Sequence, residues 1–192
     1  MSLYCATGNG GKLREFRAIT GPVEIELVPG FRDLDACPET GSTFEENAIQ
    51  KATWYGPHAP GLLFADDSGL EVDALGGAPG VRSARFAGEG AGDAANNRLL
   101  LEKLRGSGNR TARFVCAIAL VRGSQVLATF RGSVEGRIID EPRGEHGFGY
   151  DPLFYYPPFG CTFGEADDER KSAVSHRGQA LRSMLASPAR FG

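Results

Sequence analysis

No basic surplus, no long apolar run and no paired cysteine motif is found in this 192-residue chain. Each absence closes off a class of function. The net charge is -3. A broad duplex-binding surface is built from an excess of Lys and Arg, so nucleic acid is not an expected partner, although a local basic pocket remains open. No apolar stretch approaches the length of a membrane span, and the residues before the first strand are too few for the apolar core of a signal peptide, so no membrane association is expected. Cys5, Cys37, Cys116 and Cys161 stand far apart without a Cys-x-x-Cys pair, and there are only 3 histidines. Free thiols in a reducing, cytoplasmic setting are the simplest expectation, and zinc is not expected. Any metal should be held by oxygen. No internal repeat or flexible linker is visible.

What is present is ordinary for a soluble globular chain, with 41% hydrophobic and 23% charged residues. The length fits one domain or two closely joined lobes. Residues 3–6 read as a strand, 7–11 as a turn and 12–19 as a helix, with Leu13, Phe16 and Ile19 at helical spacing. Residues 24–28 alternate like a strand. Thr43 lies three residues before Glu46, a capping-box signature that opens a helix to about Tyr55. Residues 75–81 are too rich in Gly and Pro for a regular element. Asp93 is placed to cap a helix ending near Arg105, with Leu99, Leu100 and Leu104 packing inward. Residues 113–121 and 125–135 read as an antiparallel hairpin. A loop rich in glycine and aromatics covers about 144–160, and a last helix runs near 175–185. A hairpin among helix-linked strands implies an α/β protein with a mixed sheet.

The chemistry concentrates in a few segments. In ADDSG, residues 65–69, two acids follow a short apolar run. That order predicts a buried strand ending in a tight turn with carboxylates at its tip, where α/β proteins place catalytic groups. Adjacent acids repel, so keeping both ionised favours a bound cation. An ordinary Asp-Ser turn reads equally well from the pentapeptide. In TGNGGK, residues 7–12, glycines let backbone amides approach a phosphate, the helix N-terminus adds partial charge, and Lys12 adds a full one. The Gly-Lys-Ser/Thr ending of a Walker loop is missing, and a plain strand–helix turn explains the same residues.

In TFEENAIQKA, residues 43–52, Asn47 and Lys51 share a helix face beside an inward stripe of Phe44, Ala48 and Ala52. The helix dipole alone accounts for Glu45 and Glu46. Glu39, in the preceding loop, reads either as a second ligand to the cation of Asp67 or as an exposed loop acid. In GFGYDP, residues 147–152, the rings can stack on a base and Asp151 can accept its hydrogen bonds, or the rings simply pack the loop. Lys171 suits phosphate and Arg177 suits a base carbonyl. His176 has no carboxylate or serine partner nearby in sequence, and Ser175 reads as a helix cap. Arg82 and Arg85 either flank the mouth of a pocket for anions or face solvent.

Taken in order, ATGNGGKLREF, PETGSTFEENAIQKA, FADDSGLEVDALGGAPGVRSARFAG, GFGYDPLF and KSAVSHRGQAL resemble the inosine triphosphate pyrophosphatase family, from about residue 3 to about residue 186. Its members hydrolyse non-standard purine nucleoside triphosphates such as ITP, dITP and XTP to the monophosphate and pyrophosphate. The resemblance implies a single elongated, two-lobed α/β domain over residues 1–192, with a long central mixed β-sheet flanked by helices and an active site in the cleft between lobes. It also implies a homodimer and Mg2+ dependence. Carried over by position, Thr7, Gly8, Asn9, Gly10, Gly11 and Lys12 match the phosphate loop. Glu39 and Asp67 match the metal-binding acids, with Glu46 and Asp66 beside them, and Asp67 also matches the proton acceptor. Lys51 and Ser68 match substrate contacts. Phe148, Gly149, Tyr150 and Asp151 match the base-pocket loop, and Lys171, His176 and Arg177 the remaining substrate contacts. Two alternatives stand beside this reading: a pyrophosphatase for pyrimidine or modified nucleotides, and a non-catalytic nucleotide sensor. Against the sensor, three acids are not what phosphate binding requires.

Overall fold

A computed structural model of the chain describes residues 2–20 and 23–191. Seven strands form one mixed sheet in the order β2-β1-β3-β4-β5-β6-β7. β1 (Ser2–Cys5) buries Leu3 and Cys5 and pairs in parallel with β2 (Glu24–Leu27) and β3 (Leu62–Val72). The crossovers carry α1 (Gly10–Ile19) and α2 (Phe44–Tyr55). β4 (Thr111–Arg122) and β5 (Gln125–Ile138) form the expected antiparallel hairpin, longer at both ends than the sequence reading. Its turn has Gly123 at φ 54, a conformation that costs glycine little. β6 (Phe154–Tyr156) and β7 (Cys161–Thr162) extend the antiparallel side. The remaining helices are α3 (Gly92–Lys103), α4 (Asp168–Val174) and α5 (His176–Ala186).

Helices cover both faces of the central strands. Phe16 of α1 and Leu181 and Met184 of α5 pack against Leu62, Phe64, Cys116 and Ile118 on one face. Phe44, Ala48 and Ala52 of α2 pack against Leu63, Ala65, Val115 and Ala117 on the other. A third core joins Leu100 and Leu104 of α3 to Leu70, Phe114, Phe154 and Phe163. The candidate site opens between this third core and the first two. α5 reaches β5 at Gly132, where a Cβ would overlap the His176 carbonyl; the missing side chain lets the N-terminus of α5 approach the site.

Asp66 and Asp67 do not cap a strand. β3 runs through both to Val72, because β4 pairs with it along its whole length, from Leu62↔Arg122 to Val72↔Ala112. Cross-strand pairing overrides the local turn signal of Asp-Ser-Gly. β1, by contrast, pairs with β3 only at Leu63 and Phe64. Beyond that point β3 presents an edge free of β1, and both acids lie on it. Side chains alternate along a strand, so Asp66 points to the α1 and α5 face and Asp67 to the α2 face.

Asp93 is not the cap of α3. That helix has no side-chain cap, and Asp93 lies within its first turn. Leu100 and Leu104 are buried as expected, but Leu99 is only half-buried and Leu101 packs on the core instead. The glycine-rich segment forms short 3-10 turns at Asp73–Leu75 and Gly80–Arg85. α4 has no counterpart in the sequence reading. No helix among the described residues is long and apolar enough to cross a membrane.

Candidate active site

A cleft of about 270 Å³ follows the free edge of β3. It is lined by Thr7, Asn9, Lys12, Glu39, Lys51 and Asp67, by Ser83, Arg85, Asp93, Phe148, Gly149 and Tyr150, and by Ser68, Asp151 and Arg177.

On the α1 face, Lys12 Nζ lies 2.8 Å from Asp66 Oδ2, which also accepts from Ser68 Oγ at 3.1 Å. Burial pushes the Asp66 carboxyl up, but Lys12, Lys51 and Arg177 outweigh it and leave the group below its ordinary range. On the α2 face, Asn47 Nδ2 donates to Asp67 Oδ2 at 3.0 Å, and the Ser68 amide donates to Oδ1 at 3.0 Å. Lys51 Nζ sits 3.6 Å from Asp67 Oδ1 and 3.4 Å from Glu39 Oε2, close enough for attraction but too far for a tight pair. Burial dominates at Asp67 and holds its carboxyl above the ordinary aspartate range despite the lysines. Burial also disfavours the Lys51 charge, yet Asp66, Asp67 and Glu39 together push its pKa up. The environment thus separates neighbouring carboxylates: Asp66 is firmly ionised, and Asp67 is the more basic.

Behind the cleft lies a second charged network. Glu15 of α1 accepts from Lys171 Nζ at 2.6 Å and from Arg177 Nη1 at 2.8 Å. Lys171 also donates to Asp151 Oδ2 at 2.6 Å, and the same oxygen accepts the Phe148 amide at 2.8 Å. The Phe148 ring carries the Arg177 guanidinium 4.7 Å and the Lys171 ammonium 5.1 Å from its centroid. Burial raises the Glu15 pKa, but the Arg177 and Lys171 charges outweigh it and the net shift is downward. A depressed carboxyl stabilises the fold above its ordinary range, and that contribution is lost as pH falls through the folded-state value. Glu15→Gln should therefore cost about 3 kcal/mol at pH 7, by leaving Arg177 short of a partner. Denaturant melts at pH 7 and at pH 3 should show the gap between variant and parent narrowing at the lower pH.

His176 is almost fully buried and stacks on Phe114 at 4.9 Å and 12°. Neither ring nitrogen has a partner among the described residues. Burial, then the Arg177 and Lys171 charges, push its pKa well below the usual histidine value, so the ring is neutral. Tyr150 is a strut, since its hydroxyl donates to the Ser83 carbonyl at 2.8 Å.

The structure brings most of the expected residues to the cleft and gives several a different local task. Asn9 caps α1, accepting from the Gly11 amide at 2.8 Å and the Lys12 amide at 3.1 Å, so those amides face their own loop. Gly11 makes room, because a Cβ there would come 2.7 Å from the Phe148 ring. Gly8, Gly10, Gly11, Asp66, Lys171 and His176 are not among the residues that line the cleft, and Gly8 and Gly10 are exposed. Glu46 completes the capping box of α2: Oε2 accepts from the Ser42 amide at 2.6 Å and the Thr43 amide at 3.3 Å. Glu45 pairs with Arg131. Arg85 lines the cleft and pairs with Glu89 at 3.4 Å. Sequence reasoning missed Glu15 and the contact that Asp93 makes with the loop. For Glu15 a signal existed: it follows Lys12 by three residues and so shares its helix face.

The sequence profile of the Ham1 family matches residues 3–187. A dITP/XTP pyrophosphatase of Exiguobacterium sp. (strain ATCC BAA-1283 / AT1b) is 53% identical over 188 residues, covering 97% of this chain and 96% of that protein. One from Acidobacterium capsulatum is 47% identical over 197 residues, covering 97% of each. The solved structure of the Staphylococcus aureus Ham1 protein superposes with a TM-score of 0.86 at 40% identity over 97% of both chains. A HAM1 protein from Coxiella burnetii gives 0.85 at 41% identity over 96% of both.

Proposed function

The chain belongs to the Ham1 family, and on that premise we propose that it hydrolyses non-standard purine nucleoside triphosphates, among them ITP, dITP and XTP, to the monophosphate and pyrophosphate. The observation that carries the chemistry is the divided environment of the two acids on β3. Lys12 and Lys51 face the end of the cleft that takes the phosphates, where their charge opposes that building on the phosphoryl oxygens. Asp67, above the ordinary aspartate range and held by Asn47 and the Ser68 amide, takes a proton from the attacking water. Water attacks the α-phosphorus in line and pyrophosphate leaves.

Mg2+ suits the donor set. Glu39 and Asp67 already converge on one cation, the Lys51 ammonium, and carboxylate oxygen is the ligand magnesium prefers. No group of three or more His, Cys, Asp and Glu is gathered into a site among the described residues, which suits an ion whose other ligands are substrate phosphates and water. Bound there, it would neutralise phosphate charge and polarise the phosphorus–oxygen bonds. Asp66, paired with Lys12, and Glu46, engaged in its helix cap, are left outside this pair.

At the other end Phe148 offers a face for the base, and Arg177 a donor for its 6-keto oxygen. Adenine presents a 6-amino group instead, and a donor left unmatched costs roughly 1–3 kcal/mol, or about tenfold to a hundredfold per contact. The proposal includes a homodimer, for which the exposed Trp54 and Val126 are available, and a cytoplasmic setting, which suits the free cysteines.

Pyrophosphate release from ITP, dITP, XTP, GTP, ATP and dUTP, with Mg2+ and with EDTA, tests the reading. Fast Mg2+-dependent turnover of ITP and XTP, with ATP and GTP far slower, is the expected result. Release chiefly from dUTP would move the substrate to another class, and binding without release would leave a sensor.

A further inference from the structure

The loop that closes the base end of the cleft is held by a helix distant from it in sequence. Gly149 sits at φ 63 between Phe148 and Tyr150. Its amide donates to Asp93 Oδ2 at 2.7 Å, and its carbonyl accepts from Asn97 Nδ2 at 3.0 Å. Asp93 and Asn97 are four residues apart, so successive turns of α3 present them on one face. Both backbone polar groups of a single loop residue are thus fixed by α3. The neighbouring residues are anchored elsewhere: the Phe148 amide on Asp151, and the Tyr150 hydroxyl on the Ser83 carbonyl. Glycine is the residue with the widest backbone freedom, and at this one position α3 supplies the constraint that a side chain cannot.

We propose that Asp93, together with Asn97, is a positioning residue that sets nucleotide affinity by keeping residues 148–150 in the shape that receives the base. This rests on the pyrophosphatase reading above. An amide bonded to a carboxylate is a stronger anchor than a neutral pair, so Asp93 matters more than Asn97. A site competent for only a fraction of the time binds its ligand more weakly by that fraction. Once nucleotide is bound, the base itself holds the loop, and proton transfer at Asp67, whose hydrogen bonds go to Asn47 and the Ser68 amide, proceeds unaltered. KM therefore rises while kcat stays.

The test is steady-state kinetics with ITP for the parent, Asp93→Ala, Asp93→Asn and Asn97→Ala, with calorimetric titration of ITP in EDTA. Inorganic tripolyphosphate, which has no base, serves as a competitive inhibitor. In Asp93→Ala, KM and the calorimetric Kd should rise about tenfold, as expected if the competent fraction falls to about a tenth. The kcat should stay close to the parent, and the inhibition constant of tripolyphosphate should not move. Asp93→Asn, which keeps an oxygen acceptor in place, should recover most of the affinity, and Asn97→Ala should show a smaller rise. Parent-like affinity in Asp93→Ala overturns the proposal, as does a matching rise in the tripolyphosphate constant, which would mark general damage to the cleft. If Asp93→Ala does not fold, Asn97→Ala decides in the same way. A parent enzyme that binds but does not turn over ITP would refute the activity alone, and the calorimetric comparison would still decide the role of Asp93.

Discussion

Asp67→Asn should lower kcat by about 10²- to 10⁴-fold, the usual contribution of a positioned general base. KM should rise less than kcat falls, because Lys12, Lys51 and the base pocket remain while one of the two acids offered to Mg2+ is lost. The fold should survive, since an amide oxygen at this position still accepts from Asn47. Stability should change little. A carboxyl whose folded pKa lies above its unfolded value opposes folding once pH exceeds both, and a neutral amide removes that opposition, while the Ser68 amide loses the acceptor that Oδ1 gave it. Loss of turnover in a protein that melts close to its parent distinguishes chemistry from damage. Near-normal turnover with Mg2+ would remove Asp67 from the reaction.

Lys12→Met should act on stability and activity through separate routes. Asp66 is almost wholly buried and bonded to Lys12 at 2.8 Å, so removing the ammonium leaves a buried carboxylate with only Ser68 in contact and two more distant cations. Breaking a buried pair at one end costs about 3–5 kcal/mol. Adding Asp66→Asn should restore most of that loss by removing the stranded charge. It should not restore turnover, because the cation facing the phosphates is still missing. Urea unfolding and pyrophosphate release on the two variants check both halves. Activity recovered along with stability would mean that Lys12 serves only to hold Asp66.

The contrast between these two acids shows how much the sequence could reveal. Their chemical importance is legible from ADDSG, but their geometry is not. A turn signal is local, whereas the pairing of β3 with β4 joins residues about fifty positions apart, such as Asp67 and Ala117. Read as a strand tip, the pair suggests one shared cation; read on a continuous strand, alternation sends them to opposite faces, with Lys12 in contact with Asp66 and Lys51 beside Asp67. The capping box of α2 and the hairpin turn at Gly123 are legible because their causes lie within a few residues. Glu15 is marked in the sequence only by its spacing from Lys12, since its partners Lys171 and Arg177 lie 156 and 162 residues away. Asp93 misleads for the same reason: an acid near a helix start looks like a cap, and nothing local points to Gly149, 56 residues on. The phosphate-loop glycines mislead in a related way. Asn9 claims the amides that look free for a ligand, and Gly11 serves the approach of Phe148.

The central claim is that water, deprotonated by Asp67, attacks the α-phosphorus. Hydrolysis of ITP in 18O-labelled water, followed by mass spectrometry of both products, tests it most directly. Label in inosine monophosphate and none in pyrophosphate is the expected result. Label in pyrophosphate would place the attack at the β-phosphorus and contradict the roles assigned to Asp67, Lys12 and Lys51.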